Sequence, residues 1–134
     1  MRRPIWSSKA CSPSSKAISR VALAWFDLAD PTDRVIAVSL ARELKASGLD
    51  PILVGPRRRV EEAPLESVRG IPVFRLGRPG WSRFPLLQDA ETAWELLRLH
   101  KSQGVDFWHC HAFGRCHRAW TWAARLAGWR YAVT

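Results

Sequence analysis

The stretch ISRVALAWFDLADPTDRVIAVSLARELKASGLDPILV, residues 18–54, reads as strand, helix, strand. Ile18–Phe26 is a short apolar run, the pattern of a strand buried on both faces. Asp27–Asp30 make a polar turn. Asp30-Pro31-Thr32-Asp33 then carries a strong helix start. Asp30 suits the N-cap, Pro31 the first helical position and Asp33 the third, a variant of the capping box. Ala37, Leu40, Ala41 and Leu44 fall on one helical face, and Gly48 sits where a C-terminal cap belongs. Pro51–Val54 supplies the next strand. The unit occupies about 35 residues, the size of a strand–helix–strand crossover.

Working outward from it, residues 55–70 read as a loop with Gly55, Pro56, Arg57, Arg58, Arg59 and Pro64. Ile71–Leu76 reads as a third strand, peripheral because Pro72 removes a ladder donor. Gly77–Pro85 is a second loop, containing Trp81. Asp89 is positioned to cap a helix in which Ala90, Ala93, Trp94 and Leu97 share a face, ending before Gly104. Val105–Cys110 is a strand. Ala119–Ala127 is a helix with Trp120, Ala123, Ala124 and Ala127 aligned, closed by Gly128. Trp129–Thr134 begins a further strand. Alternation of this kind predicts an α/β fold: a parallel sheet with helices on both faces. Ligands then bind beyond the carboxyl ends of the strands, here the loops 27–33, 55–60 and 111–118.

The chain of 134 residues suits one domain, and 47% apolar residues suffice for a core. Eight tryptophans are unusual at this size, and Trp94, Trp120, Trp122 and Trp129 are expected in the core or against the sheet. The net charge of +9 is uneven, with +5 in residues 1–20 and +4 in the rest. Residues 1–17 are acid-free and rich in Ser, Lys and Pro, without the apolar core of a secretory signal. They read as a disordered basic leader, and residues 18–134 as the domain. The charge is that of a cationic tail on an ordinary domain, which argues against a specific nucleic-acid partner but allows peripheral contact with an anionic membrane. Cys11, Cys110 and Cys116 are odd in number and unevenly spaced, no disulfide framework, which fits a reducing, cytoplasmic setting. No apolar run approaches the roughly 18 residues of a transmembrane helix.

The densest chemistry is Asp106-Phe107-Trp108-His109-Cys110-His111, followed by Cys116-His117. In a strand, His109 and His111 share a face and Cys110 takes the other. A metal site would recruit His109, His111 and Cys116 or His117, but the spacing matches no common zinc pattern, so no metal is assigned. His109 also reads as a half-buried, hydrogen-bonded strand residue. His111, at the exit of a buried strand, stands where α/β proteins place binding groups.

This stretch is similar to the Asp-x-x-His-x-His strand in the N-terminal domain of family 4-like glycosyltransferases. Other segments resemble the same family in order: Arg34–Gly48 its first helix, Ile52–Pro56 and Gly70–Leu76 its second and third strands. Ala123–Gly128 is similar to its Ala-rich helix ending in Leu-Ala-Gly, and Val133-Thr134 to its next strand end. The resemblance covers about residues 19–134. It implies the N-terminal, acceptor-side half of a GT-B fold, a Rossmann-like domain that faces a second, donor-binding domain. It further implies a retaining transfer of sugar from a nucleotide-sugar co-substrate to a sugar or lipid-linked acceptor, without metal or other cofactor. By motif position His111 is the catalytic candidate.

Asp30, Thr32, Asp33, Arg57, Trp81 and His109 are the substrate-binding candidates. Where the family has a Gly-Gly turn this chain has Asp30-Pro31-Thr32-Asp33, so side chains replace bare backbone and Pro31 offers no N–H. The paired glutamates of the family's donor domain have no counterpart here. The expectation is therefore a truncated domain, inactive alone and completed by a separate donor-binding domain. The alternative is a stand-alone Rossmann-like module for a nucleotide or anionic partner. No Gly-x-Gly-x-x-Gly follows the first strand, which argues against a dinucleotide.

Overall fold

The structure, a computed structural model, describes residues 18–25, 28, 30–57, 59–77, 85–111 and 117–134. The expected leader at 1–17 lies outside the described residues. Among the described residues six strands and three helices follow in chain order: β1 (Arg20–Trp25), α1 (Pro31–Ala46), β2 (Asp50–Pro56), β3 (Leu65–Val68), β4 (Ile71–Leu76), α2 (Pro85–Gln103), β5 (Phe107–His111), α3 (His117–Ala127) and β6 (Tyr131–Val133). They form one sheet of order β3-β4-β2-β1-β5-β6. All neighbours pair in parallel except β3, which runs antiparallel to β4.

Side-chain alternation along the inner strands builds two cores. Val21, Leu23, Trp25, Leu53, Ile71 and Val73 meet Ala37, Val38 and Ala41 of α1 on one face. Ala22, Ala24, Ile52, Val54, Trp108 and Cys110 meet α2 and α3 on the other. Both faces are covered, as the alternating pattern requires of a parallel sheet.

The local signals around α1 hold. Asp30 Oδ1 accepts the N–H of Thr32 at 2.8 Å and of Asp33 at 3.1 Å, and Pro31 opens the helix. Gly48 takes a φ of +91° just past the end, where a side chain would be strained. Asp30→Ala removes the acceptor for two otherwise orphaned donors. The expected loss is about 1 kcal/mol of stability, read as a lowered urea midpoint with unchanged slope.

Three local readings are corrected. The segment 55–70 is not all loop, because Leu65–Val68 adds an antiparallel edge to β4. Ile71–Leu76 therefore lies one strand in from the edge, and Pro72 pairs only across to the short β3. Arg75 explains why the edge forms. It is buried on the α1 side, its Nη1 holds Glu66 Oε2 at 2.7 Å, and Arg34 Nη2 of α1 reaches Glu66 Oε1 at 3.3 Å. Arg75 Nε faces Glu62 Oε2 at 3.2 Å, close enough for charge attraction though not aligned as a hydrogen bond. The hydrogen bond from Arg75 is the main reason the Glu66 carboxyl sits below its usual range.

Second, Asp89 does not cap α2. The helix begins at Pro85, and Asp89 is buried inside it, its Oδ2 2.6 Å from Nε of Arg118 on α3. The buried face of α2 is accordingly Asp89, Ala93, Leu96 and Leu99, rotated from the Ala90–Ala93–Trp94–Leu97 stripe. Third, Trp94 is 62% exposed and Trp122 36%, whereas Trp120 and Trp129 are buried as expected. No helix among the described residues is long and apolar enough to cross a membrane.

Candidate functional site

The topology fixes where a crevice opens. β1 connects to β2 through α1 on one face, while β4 connects to β5 through α2 on the other. The winding direction therefore reverses between β1 and β5, and at such a reversal the two strand exits part and leave room for a ligand. The last residues of these strands are Trp25 and His111, paired in register. Their rings stack with centroids 4.0 Å apart and planes 25° from parallel. Trp25 is buried and His111 half-buried. A rigid indole thus fixes the tilt of an imidazole at the strand exit, an arrangement able to offer one ring nitrogen to a ligand as donor or acceptor.

Trp25 was not apparent as a site residue, since nothing local to ISRVALAWF says which strand lies beside it. Gly55 belongs to the same wall. A Cβ there would meet Leu28 Cδ1 at 2.9 Å and the Trp25 carbonyl oxygen at 3.0 Å, so only glycine allows the end of β2 to pass so close under the β1 exit.

His109 lies two residues before His111 on the same face, their rings 6.4 Å apart and edge-on. It is half-buried, and its Nε2 shares a short hydrogen bond with Thr134 Oγ1 just beyond β6. Burial, and to a lesser degree the neighbouring His111, hold its pKa below the ordinary histidine value. The Asp that opens the motif sits far from this chemistry. Asp106 Oδ2 accepts the N–H of Ser19 at 3.0 Å and of Arg20 at 2.9 Å, clamping the start of β1 to the start of β5 at the opposite ends of these strands.

The remaining candidates divide. Asp30, Thr32 and Asp33 stand at the N-terminus of α1, on the crevice side. The Thr32 and Asp33 amides that would face an anion already bind the Asp30 carboxylate, whose charge opposes a phosphate at that point. Arg57 follows β2, but its guanidinium turns back on its own loop: Nε donates to the Glu62 carbonyl at 2.9 Å and Nη2 to the Val60 carbonyl at 2.8 Å. Its backbone N–H donates to Leu76 O at 2.7 Å, tying the exits of β2 and β4 together. Trp81, Arg58 and Cys116 lie outside the described residues. Among the described residues no cluster of three or more His, Cys, Asp or Glu is placed to hold a metal ion.

A family model described as "Glycosyl transferase 4-like domain" matches residues 34–134. No curated protein matches the sequence. Among solved structures, the fold is similar to MurG from Acinetobacter baumannii, with TM-score 0.61 and 16% identity over 86% of this chain and 34% of that one. It is similar to sucrose-phosphate synthase from Thermosynechococcus elongatus, with TM-score 0.59 and 12% identity over 86% of this chain and 32% of that one. It also resembles the C-terminal domain of the PF1911 hydrogenase from Pyrococcus furiosus, with TM-score 0.55 and 14% identity over 90% of this chain and 95% of that one. The chain spans about a third of the first two proteins.

Proposed function

The chain belongs to the glycosyl transferase 4-like family, and from that premise we propose that it forms the acceptor-side wall of a retaining sugar transfer. The observation that carries this reading is the stacked Trp25–His111 pair at the β1–β5 reversal. In this role His111 hydrogen-bonds the transferred sugar and steadies charge that develops at the reacting carbon, as a preorganised donor at a strand exit does. His109 supports the same face from behind. Asp30, Thr32 and Asp33 border the acceptor path rather than the donor phosphates, since the α1 amides are already occupied by Asp30.

The donor, a nucleotide-sugar, is held by a second domain facing this crevice. The reaction requires the sugar to be aligned between two walls, and the acceptor wall alone gives no turnover. The acceptor is a sugar or a lipid-linked sugar, and the setting is cytoplasmic. No metal takes part.

A second reading, a free-standing Rossmann-like module for a nucleotide or anionic partner, draws support from the basic charge. One titration separates the two. The chain is followed by the imidazole resonances of His109 and His111 while simple glycosides, a nucleotide-sugar and a short nucleic acid are added at two salt concentrations. Glycosides are expected to move the His111 signals, with little dependence on salt. If only the nucleotide or the nucleic acid binds, steeply weakened by salt, the acceptor-wall reading is wrong.

A further inference from the structure

The outer surface of the α2–α3 layer carries a pattern that the crevice does not use. The two helices lie side by side on one face of the sheet and are joined by Asp89 and Arg118 near their N-terminal ends. Their small and aliphatic residues, among them Ala93, Leu96, Ala119 and Ala123, turn inward. On the opposite side of α2, Leu87 and Trp94 are two turns apart in line, 56% and 62% exposed. On α3, Trp122 and Leu126 are one turn apart, 36% and 78% exposed. Counted from the Asp89–Arg118 bridge, Trp94 and Trp122 are five and four residues along, so the two indoles sit at nearly one height.

Past them, toward the C-terminal ends, the exposed charges are Arg98 and Lys101 on α2 and Arg125 on α3. No exposed residue of either helix is acidic. Glu91, one turn from both Leu87 and Trp94, is the one acid in this stripe and is half-buried, two turns from Arg98; Glu95 is half-buried and accepts the Gly77 N–H at 2.9 Å. The exposed side of α1, by contrast, mixes Arg42 with Glu43.

We propose that this surface docks on an anionic lipid bilayer. Two exposed indoles side by side, with Leu87 before them and Leu126 beyond them along the helices, suit the headgroup boundary, where the ring is apolar and its N–H stays wet. Arg98, Lys101 and Arg125 meet the lipid phosphates, and because no described helix crosses a bilayer, the helices lie on it. Charge disfavours the other occupants. A second copy would bring like charge against like, and so would the basic residues 1–20 of this chain. A nucleic acid would find no stacking use for Leu87 and Leu126.

The test is sedimentation of the full chain with vesicles of phosphatidylcholine alone and of phosphatidylcholine with phosphatidylglycerol. Binding is expected only to the anionic vesicles. W94S/W122S should weaken it by about tenfold or more, and R98S/K101S/R125S by about a hundredfold at low salt and less at high salt. Neutralising the leader (R2S/R3S/K9S/K16S) should leave most of the binding. With brominated phosphatidylglycerol, part of the tryptophan emission is quenched, and that part should vanish in the conservative W94F/W122F variant. Wild-type binding that is absent, or equal in W94S/W122S, overturns the proposal. So does a patch whose loss abolishes self-association or RNA binding instead of vesicle binding.

Discussion

Trp108→Ala is expected to lower the unfolding free energy by about 3–5 kcal/mol, a large share of what a domain of this size possesses. Trp108 has no accessible surface and stands at the centre of β5 on the face covered by α2 and α3. Its ring stacks on Trp129 with centroids 4.5 Å apart and planes 7° from parallel, and its Nε1 donates to His100 Nδ1 at 3.0 Å. Alanine leaves a cavity that the rigid sheet closes only in part, and it orphans the His100 acceptor. Urea unfolding with an unchanged slope and a much lower midpoint is the expected record. A loss under about 1 kcal/mol would mean that this cluster repacks freely, contrary to the geometry.

The same contact sets a pH dependence. Because Trp108 donates to Nδ1, His100 must be neutral with its proton on Nε2. Burial holds its pKa below the ordinary value of 6.5, with Asp106 opposing weakly, and burial does the same for His109. Both groups bind protons more readily unfolded than folded. Stability is therefore full above about pH 6.5 and declines as the pH falls below it, toward the lower folded values. Trp108→Phe removes the hydrogen bond but keeps an aromatic, so the decline should become shallower while the midpoint falls less than in the alanine variant.

What the sequence made legible follows from the range of each interaction. The start of α1 was readable because Asp30, Thr32 and Asp33 are within one turn, and their hydrogen bonds are those that the residue types announce. The inner strands were readable from apolar runs, since a parallel sheet buries both faces. Asp89 misled because an Asp before a periodic stretch looks like a cap, while its partner Arg118 is 29 residues away on another helix. β3 was hidden for a similar reason. LESV is short and half polar, and what holds it is Glu66 against Arg75 and Arg34.

The site was legible by half. His111 could be placed at a strand exit from its own segment, but the indole beneath it depends on β1 lying beside β5 in one particular register. Arg57 shows the opposite limit: an arginine after a strand suggests an anion site, yet the carbonyls of Val60 and Glu62 are closer to hand.

In the presence of a donor-binding domain, His111→Ala is expected to lower kcat for sugar transfer by about 10²–10³-fold, with a much smaller change in the KM for acceptor. The imidazole does two things that alanine removes together: it covers the buried Trp25 ring and it offers a polar nitrogen at the crevice. His111→Phe separates them. Phenylalanine keeps a flat ring on Trp25 and preserves the thermal midpoint, but it has no nitrogen to place on the sugar. If the polar nitrogen stabilises charge in the transition state, His111→Phe is as slow as His111→Ala although it is the more stable protein. His111→Gln, which restores an N–H without the stack, then recovers part of the rate. Transfer by His111→Phe at the wild-type rate would leave the ring as packing for Trp25 alone and remove His111 from the chemistry.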